Sequence, residues 1–516
     1  MKRIFSILTI TALTSLMVGC NDWLREDGPG KTELKDFFTS GQTALQAVNA
    51  AYYPMAWEYN GTYFSEWFVG DVASDDAVKG GQNLTDMADA YDIENFKTVP
   101  SNGLLLDYYR AQYQGISRCN FAITYIPTLA LDESMDEALR ARYVAEVRFL
   151  RAYYYFRLVR MFGGVPLVYF VIDSSADWKQ PRATAEKVYE FILDELELAE
   201  ADLALKSDMT PEELGRVTKG AAQAMLMKVN LYLKNYDEVI AWGQKIMASG
   251  EYDLWANYAD NFYLSGENGI ESVFEIQYAE DPTSDYGEGN GFTRGTFTVI
   301  LTRSRSTVLC GGNAGWGFNK PTQDLYDEYE EGDPRRDVTI INPTDAQIET
   351  PTQEIYLGSR YMSRKYALQD TDGSYIPLSH ATRAPINRKE IRYSDVLLMF
   401  AEACIESGSN LSAGKDALNR VRGRVGMPAV EATREALRHE RRVELAMEGH
   451  RWFDLCRWGI AASTMNAYKE KYGADNAGGN IEGTEMATFV EGKHELMPIP
   501  SEEIRLGGLD QNNGYY

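Results

Sequence analysis

The fold of this chain is indicated by residues 218–249, TKGAAQAMLMKVNLYLKNYDEVIAWGQKIMAS. Apolar side chains recur at the three- and four-residue intervals of an α-helix, stop at 234–236, and then resume. They are Ala222, Met225, Leu226, Val229 and Leu233 before the break, and Val239, Ile240, Ile246 and Met247 after it. Gly250 follows at the position where a helix commonly ends. The stretch therefore predicts two helices joined by a short turn, which is the pattern of a tetratricopeptide unit.

The same helical pattern recurs along the chain. Paired stretches lie at 136–162 with 184–204 and at 393–407 with 412–424, single stretches lie at 41–56 and 103–126, and a last helix runs from about Arg434 to Trp458. Repeats of this kind bury a continuous core only by stacking on one another. The sequence therefore predicts a mainly α fold of about four tetratricopeptide-like helix pairs. The helical repeats lie mainly at 41–56, 103–255 and 393–460.

Two regions lose the helical period and are rich in Gly, Asn, Asp, Ser and aromatic residues. They are 57–101 and 264–392. Within the second, ESVFEIQYA (271–279) alternates like a strand, and YALQDTDGSYI (366–376) predicts a hairpin closed around Asp372 and Gly373. Long irregular segments inside a compact protein tend to be functional. We therefore expect an irregular, loop-rich subdomain with short strands and hairpins, and we look for the ligand-binding regions there.

The N-terminus has the features of a secretory signal. The first 18 residues combine a basic start with an uncharged apolar stretch that is too short to span a bilayer, which takes about 20 apolar residues. The stretch ends in LMVGC (16–20), which resembles a bacterial lipobox, whose cysteine is acylated. We predict a lipoprotein signal peptide at 1–19, a lipidated Cys20 and a polar tether over 20–40. Such a chain would be anchored to a membrane without spanning it.

Composition excludes several classes of protein. The 516 residues are 44% hydrophobic, which is enough for a large core in one or two closely joined domains. The formal net charge of −25 repels phosphate backbones, so nucleic acid is not an expected partner. Beyond Cys20, the cysteines lie far apart and form no C-x-x-C pair: Cys119, Cys310, Cys404 and Cys456. Neither a disulfide framework nor a zinc site is indicated.

Motifs of common hydrolases are not found in the sequence. HERRV at His439 lacks the second zinc-binding histidine, because Val443 occupies its position. No G-x-S-x-G occurs. The densest acidic loop, DVASDDAV, contains Asp71, Asp75 and Asp76, and it could be a solvated turn, a Ca²⁺ site or a glycosidase carboxylate pair. We expect no enzyme activity, no cofactor and no metal site, with a structural Ca²⁺ in the loops left open.

The tryptophans divide into two groups. Those in helical patterns are expected to pack in the core: Trp242, Trp452 and Trp458. Those in the irregular regions are Trp57, Trp67 and Trp316, in PMAWEYNGTYFSEWFVGD (54–71) and GGNAGWGFNKP (311–321). A sugar ring has an apolar face and an edge of hydroxyls, so it suits an aromatic platform bordered by amides, acids and arginines. Each loop tryptophan could equally fill the small core of the loop subdomain.

Four stretches then indicate a family. AEVRFLRAYYYFRLVRMFGGVPLV (145–168), RYSDVLLMFAEA (392–403) and ERRVELAMEGHRWFDLCRWG (440–459) resemble the hallmark segments of the SusD/RagB family, and LMPIPSEEI (496–504) resembles its C-terminal signature. With the lipobox, these segments extend over nearly the whole chain in the order of the family. The chain is therefore identified by resemblance as a SusD-like protein.

The resemblance implies a surface-exposed outer-membrane lipoprotein that works with a SusC-like TonB-dependent transporter. Members of the family combine four tetratricopeptide-like helix pairs with an irregular subdomain, and they deliver glycans to the transporter without cleaving them. It also implies that charged residues of the hallmark helices form buried ion pairs between repeats instead of a catalytic site. These are Arg148, Arg151, Glu444, Glu448 and Arg451.

The ligand residues vary between members, so we chose candidates by residue type and loop position. They are Trp57, Trp67, Tyr286, Asn290 and Trp316, with Asp76 and Arg294 as further polar contacts. The leading hypothesis is a non-enzymatic, cell-surface glycan-binding protein. Two alternatives remain open from the sequence: a helical-repeat interaction scaffold without its own sugar site, and a surface glycosidase that uses acids such as Asp71 or Asp76.

Overall fold

The structure is a computed structural model. It describes residues 37–57, 67–83, 85–174, 177–281, 294–344, 347, 359–380, 383–472 and 486–516. The predicted signal peptide, the lipidated Cys20, and the ligand candidates Tyr286 and Asn290 lie outside the described residues. Of Trp67 the backbone is described, but not the side chain.

The described helices are numbered here in chain order. They are α1 Gly41–Tyr52, α2 Trp67–Gly70, α3 Ala88–Glu94, α4 Gly103–Tyr125, α5 Glu137–Phe162, α6 Ala185–Asp202, α7 Lys219–Tyr232, α8 Tyr236–Ser249, α9 Thr298–Thr302, α10 Gln323–Glu328, α11 Arg335–Thr339, α12 Tyr393–Ser407, α13 Leu411–Arg424, α14 Arg434–Leu445, α15 Arg451–Arg457, α16 Ala461–Tyr472 and α17 Ser501–Gly507. The described strands are β1 Ala77–Gly80, β2 Ser272–Ile276, β3 Phe318–Pro321, β4 Ile340–Ile341, β5 Met362–Ser363 and β6 Arg388–Arg392.

The helix pair predicted from residues 218–249 is confirmed as α7 and α8. The hydroxyl of Thr218 caps α7 by accepting a hydrogen bond from the amide of Ala221. Lys234, in the turn, has a φ of 61°, and Gly250 ends α8 in the left-handed conformation with a φ of 71°. The start of α7 and the end of α8 therefore follow from local sequence signals.

The long helices stack in chain order, as the sequence predicts. Contacts join α1 to α4, α4 to α5, α5 to α6, α6 to α7, α7 to α8, α8 to α12, and α12 to α13. Four pairs result within the described part of the chain: α1 with α4, α5 with α6, α7 with α8, and α12 with α13. Helix α5 lies in the middle and is buried on almost all sides from Tyr143 onward. This confirms the mainly α, tetratricopeptide-like architecture.

One predicted element is wrong in detail. The single last helix expected from about Arg434 to Trp458 is instead two helices, α14 and α15, with a break between them. In the break, Met447 and Gly449 have φ values of 63° and 81°. The amide of Gly449 donates to Asp71 at 2.9 Å, and the backbone of Gly449 lies so close to Gly70 that a side chain at Gly70 would collide with it. The helix is therefore interrupted because a distant segment packs against its backbone.

The irregular regions contain three two-stranded antiparallel sheets among the described residues, β1 with β3, β2 with β6, and β4 with β5. Strand β2 lies within the predicted strand 271–279. The predicted turn at 372–373 is also present, because Gln369 and Tyr375 pair across it and Gly373 has a φ of 84°. In the described part of the chain, no helix combines the length and apolar character needed to cross a membrane.

The hallmark charged residues form internal ion pairs, as the sequence predicts. Arg148 and Arg151 both bind Glu195, which joins α5 to α6. Arg392 bridges two acids of the α14–α15 segment, and it lies 2.8 Å from Glu444 and 2.8 Å from Glu448. Burial opposes ionisation of Glu448, but Arg392 and Lys365 outweigh it and lower its pKa to about 2. These ion pairs join separate elements inside the fold.

His439 links α14 to the last residue of α10 and to the segment that follows it. Its Nδ1 lies 2.8 Å from Glu328 and its Nε2 lies 3.1 Å from Glu330. Those two acids also lie beside Arg442 and Arg422, respectively. The hydrogen bond with Glu328 raises the pKa of His439 above its usual value, although burial opposes the shift.

A pH-dependent contribution to stability follows from this raised pKa. The imidazolium stabilises the fold fully below the unfolded pKa of about 6.5, and the contribution is lost as pH rises through the higher folded pKa. We therefore expect His439→Gln to lower the free energy of unfolding more at about pH 6 than at about pH 9. Urea unfolding of both proteins at the two pH values measures this. An equal loss at both pH values would show that the charge on His439 does not contribute.

Candidate functional site

A cluster of aromatic and charged residues lies where the first helix meets the loop-rich region. After α1, the chain enters a 3-10 turn, Tyr53–Ala56, in which Pro54 fixes the first turn. The turn places the rings of Tyr53 and Trp57 edge to face, with centroids 6.4 Å apart and planes at 88°. Arg118, from α4, lies with its guanidinium carbon 5.4 Å from the centre of the Trp57 ring. We call the residues Tyr53, Trp57, Arg118, Asp281 and Arg294 the α1 cluster.

The other two members come from the flanks of the segment 282–293. Arg294 and Asp281 form an ion pair of 3.1 Å, and the backbone carbonyl of Arg294 accepts a hydrogen bond from the amide of Ala279 at 2.8 Å. Partial burial raises the pKa of Tyr53, while Arg294 and Arg118 lower it and Asp281 raises it. These interactions place the Tyr53 hydroxyl within electrostatic reach of both arginines and the acid.

The α1 cluster offers what a polyhydroxylated ligand needs. The side chain of Arg294 is 64% exposed, so its guanidinium donors face water even while it pairs with Asp281. Tyr53 is half-buried and contributes both a ring edge and a hydroxyl. An arginine, a carboxylate and a phenol together can donate to and accept from sugar hydroxyls. The arrangement is suited to binding a polyhydroxylated ligand.

Two of the predicted ligand residues, Trp57 and Arg294, belong to the α1 cluster, where Trp57 contacts Tyr53 and Arg118 and where the charge of Arg294 acts on Tyr53. Trp57 is only 5% exposed, so it supports Tyr53 and Arg118 from below and does not present an open ring face. Trp67 begins α2, shortly after Trp57 in the chain. The proposed roles of Trp67, Tyr286 and Asn290 as ligand contacts remain predictions.

Trp316 is held by two glycines on the segment that follows α9. Its amide donates to the carbonyl of Ile300 at 2.7 Å. A side chain at Gly315 would meet Arg303 within 2.5 Å, and Gly317 has a φ of 70°. The tryptophan is half-buried against the main core. Both predicted roles, core filling and ligand contact, are compatible with this position, so its role as a ligand contact stays a prediction.

Asp76 does not occupy the position that the sequence analysis assumed. It is 1% exposed, and it accepts a hydrogen bond from Arg442 at 2.7 Å. Burial raises its pKa to about 6 in spite of Arg442 and Arg451. The carboxylate therefore joins this loop to α14 inside the protein, and we remove Asp76 from the proposed ligand contacts.

The neighbouring acids are internal as well. Asp75 is bound by Arg451 through two hydrogen bonds of 2.7 Å, and Asp71 accepts from Asn319 at 3.0 Å. Burial raises the pKa of Asp71 to about 7. A polysaccharide cannot reach these buried carboxylates, so the geometry gives no support to a glycosidase pair at Asp71 and Asp76. Their physical role is to fasten the loop 71–76 to the C-terminal helices.

Sequence reasoning missed three members of the α1 cluster. Tyr53 carried a local signal, because it precedes a proline and stands four residues before Trp57. Arg118 carried none, since it lies on a regular helix among other polar residues. Asp281 was one of 76 acids in the chain.

Among the described residues, no group of three or more His, Cys, Asp or Glu side chains could hold a metal ion. The sequence analysis left a structural Ca²⁺ in the loops open, and that question stays open.

Comparison with known proteins agrees with this fold. The sequence pattern of the SusD family matches residues 270–515, and the pattern described as starch-binding, associating with the outer membrane, matches residues 22–231. Together the two matches take in most of the chain. The chain belongs to the SusD family.

Several relatives of this SusD-family chain are named for glycan binding. A SusD-like protein of Bacteroides ovatus is 26% identical over 483 residues, which cover 89% of this chain and 83% of the relative. A solved structure of a laminarin-binding SusD-like protein is 29% identical, with a TM-score of 0.79, and the match covers 93% of this chain and all of the other. Surface glycan-binding protein A of Bacteroides thetaiotaomicron, solved in complex with laminarihexaose, is 27% identical, with a TM-score of 0.77 over 92% of this chain and 99% of the other. The two solved structures are named for glycan binding.

Proposed function

We propose that this protein captures a glycan at the cell surface and passes it, uncleaved, to a SusC-like TonB-dependent transporter in the outer membrane. The observation that carries the proposal is the ion pair between the exposed Arg294 and the mostly buried Asp281, whose charges act on the hydroxyl of Tyr53 just after the first helix. It supplies hydrogen-bonding groups together with the half-buried ring of Tyr53. Lipidation of Cys20 would keep the protein at the membrane, so that captured ligand stays concentrated near the transporter.

A neutral β-glucan of the laminarin type is the substrate class that we propose to test first. Two similar structures are named for laminarin or are complexed with laminarihexaose. The formal charge of −25 also disfavours strongly anionic polysaccharides through long-range repulsion. The Arg294–Asp281 pair is neutral as a whole, which suits an uncharged ligand.

The experiment is calorimetric titration of the chain lacking residues 1–20 with laminarihexaose, a starch oligosaccharide and an acidic oligosaccharide. We expect laminarihexaose to bind and Arg294→Ala to weaken its binding by roughly tenfold or more, because a hydrogen bond from a charged group contributes about 1.5–3 kcal/mol. The double variant Trp67→Ala with Trp316→Ala tests the predicted aromatic platform, and we expect a similar or larger loss from it.

The matched control is Arg505→Ala. Arg505 is 65% exposed and pairs with Glu502 on α17, so it resembles Arg294 in exposure and pairing but lies outside the α1 cluster. Binding should be unchanged in this control. Equal affinity in wild type, Arg294→Ala and the tryptophan double variant would contradict the proposed site. Absence of binding to every glycan of the panel would favour the interaction scaffold over the glycan-binding function.

A further inference from the structure

A polar cleft of about 270 Å³ lies among the helical repeats, and no residue of the loop-rich region 264–392 lines it. The turn between α7 and α8, the C-terminal part of α12, the start of α14 and the end of α15 form its walls. Its lining residues with polar groups are Lys234, Tyr236, Glu402, Glu406, Arg434, Arg438, Arg457 and Trp458. We call it the Arg438 cleft.

The acids of the Arg438 cleft already have partners. Glu406 accepts two hydrogen bonds from Arg434, at 2.6 and 2.7 Å. Glu402 is bound by Arg457 and by the indole N–H of Trp458, both at 2.8 Å. The carboxylates are therefore engaged with two of the four cations in the cleft.

The other two cations remain available. In the part of the chain that the structure describes, neither Arg438 nor Lys234 has an ion pair or a side-chain hydrogen bond. Arg438 is half-buried, with its guanidinium carbon 5.0 Å from the centre of the Trp458 ring. The exposed Glu435, three residues earlier on α14, interacts with Arg438 electrostatically, but no ion pair joins them. A half-buried cation without an ion pair is costly unless water or a ligand compensates it. The cleft thus has an excess of positive charge in a chain whose formal net charge is −25.

Trp458 cannot serve as a sugar platform in this cleft. Two guanidiniums lie over its ring, that of Arg438 at 5.0 Å and that of Arg457 at 4.9 Å. Stacking of a pyranose would have to displace one of them. The ligand that fits is one bound by charge and hydrogen bonds, with little apolar surface.

We propose that the Arg438 cleft binds an acidic side chain of a protein partner. A carboxylate of Asp or Glu would accept hydrogen bonds from Arg438 and Lys234, and the hydroxyl of Tyr236 lies in the same cleft as a further donor. The volume of about 270 Å³ accommodates such a side chain together with water. Repeat proteins commonly use the surface between stacked helices for binding, which agrees with the position of the cleft. The site is separate from the α1 cluster.

The test uses fluorescence anisotropy with fluorescein-labelled acetyl-Gly-Glu-Asp-Gly-amide and its neutral twin, acetyl-Gly-Gln-Asn-Gly-amide. We expect the acidic peptide to bind at low salt, at least roughly tenfold more tightly than the neutral one. Arg438→Gln should weaken its binding by roughly tenfold, and Lys234→Gln by a smaller factor. Arg438→Lys keeps the charge and should retain most of the binding. Arg505→Gln removes an exposed arginine elsewhere and should leave the affinity unchanged.

Three results would overturn the proposal. The first is equal affinity of the acidic peptide for wild type and Arg438→Gln. The second is an equal loss of affinity for the acidic peptide in Arg438→Gln and Arg438→Lys. That result would show that Arg438 acts by packing on Trp458 and not by binding the carboxylate. The third is displacement of the peptide by D-glucuronate at lower concentration than by unlabelled peptide, which would make the cleft a site for acidic sugars. Laminarihexaose titration of the same variants separates failure at this cleft from failure at the α1 cluster.

Discussion

Replacing Glu444 with glutamine is expected to lower the free energy of unfolding by about 3–5 kcal/mol, the usual cost of breaking a buried ion pair from one side. Three arginines surround this carboxylate: Arg335 at 3.0 Å, Arg392 at 2.8 Å and Arg424 at 2.5 Å. Burial opposes ionisation of Glu444, but the arginines hold its pKa well below the usual range. Glutamine keeps the shape of the side chain but leaves three buried cations with less negative charge. Urea unfolding followed by circular dichroism measures the loss.

The control for Glu444→Gln is Asp253→Asn, which removes the same charge from an exposed pair. Asp253 binds Arg420 at 2.6 Å, and the two side chains are 59% and 45% exposed. Exposed pairs contribute about 0–1 kcal/mol because water screens them. We therefore expect Asp253→Asn to change the free energy of unfolding only slightly. A similar small effect for Glu444→Gln would show that the buried network compensates for the missing charge.

Replacing Trp452 with alanine is expected to lower the free energy of unfolding by about 3–5 kcal/mol, through lost burial and the cavity left behind. Trp452 is 2% exposed. It joins α15, in which it lies, to two other segments of the chain. Its ring centroid lies 5.8 Å from that of Phe96, which follows α3, and 5.7 Å from that of Phe489, near the C-terminus. Thermal and urea unfolding of the variant measure the effect.

Trp178→Ala is the matched control for Trp452→Ala. The same side chain is removed, but Trp178 is 47% exposed, so its loss should change stability by less than about 0.5 kcal/mol. If the two variants were equally stable, Trp452 would not anchor the C-terminal segment. A loss of several kcal/mol in both variants would show that burial does not set the cost of removing the indole ring.

The sequence predicted the helical scaffold well because the relevant signals are local. The apolar period of residues 218–249, the Thr218 cap and the Gly250 terminator act within a few residues of one another, so they can be read in one dimension. The hallmark segments, which retain their order along the chain, indicated the family in the same way. The resemblance to the family also implied the internal role of Arg151 and Glu444, and the structure pairs both inside the fold.

Tertiary structure alone decided the details of the site. Asp76 is paired with Arg442, 366 positions away in the chain, so its burial could not be read from its own loop. Arg118 reaches Trp57 only because the turn after α1 packs against α4, and Arg294 acts on Tyr53 from a distant part of the chain. The Arg438 cleft likewise forms between helices that are distant in sequence.

The sequence by itself determined the helices and the family, since these depend on local periodicity and ordered motifs. Only packing decided which charges are buried and which remain exposed to a ligand, because that depends on long-range neighbours.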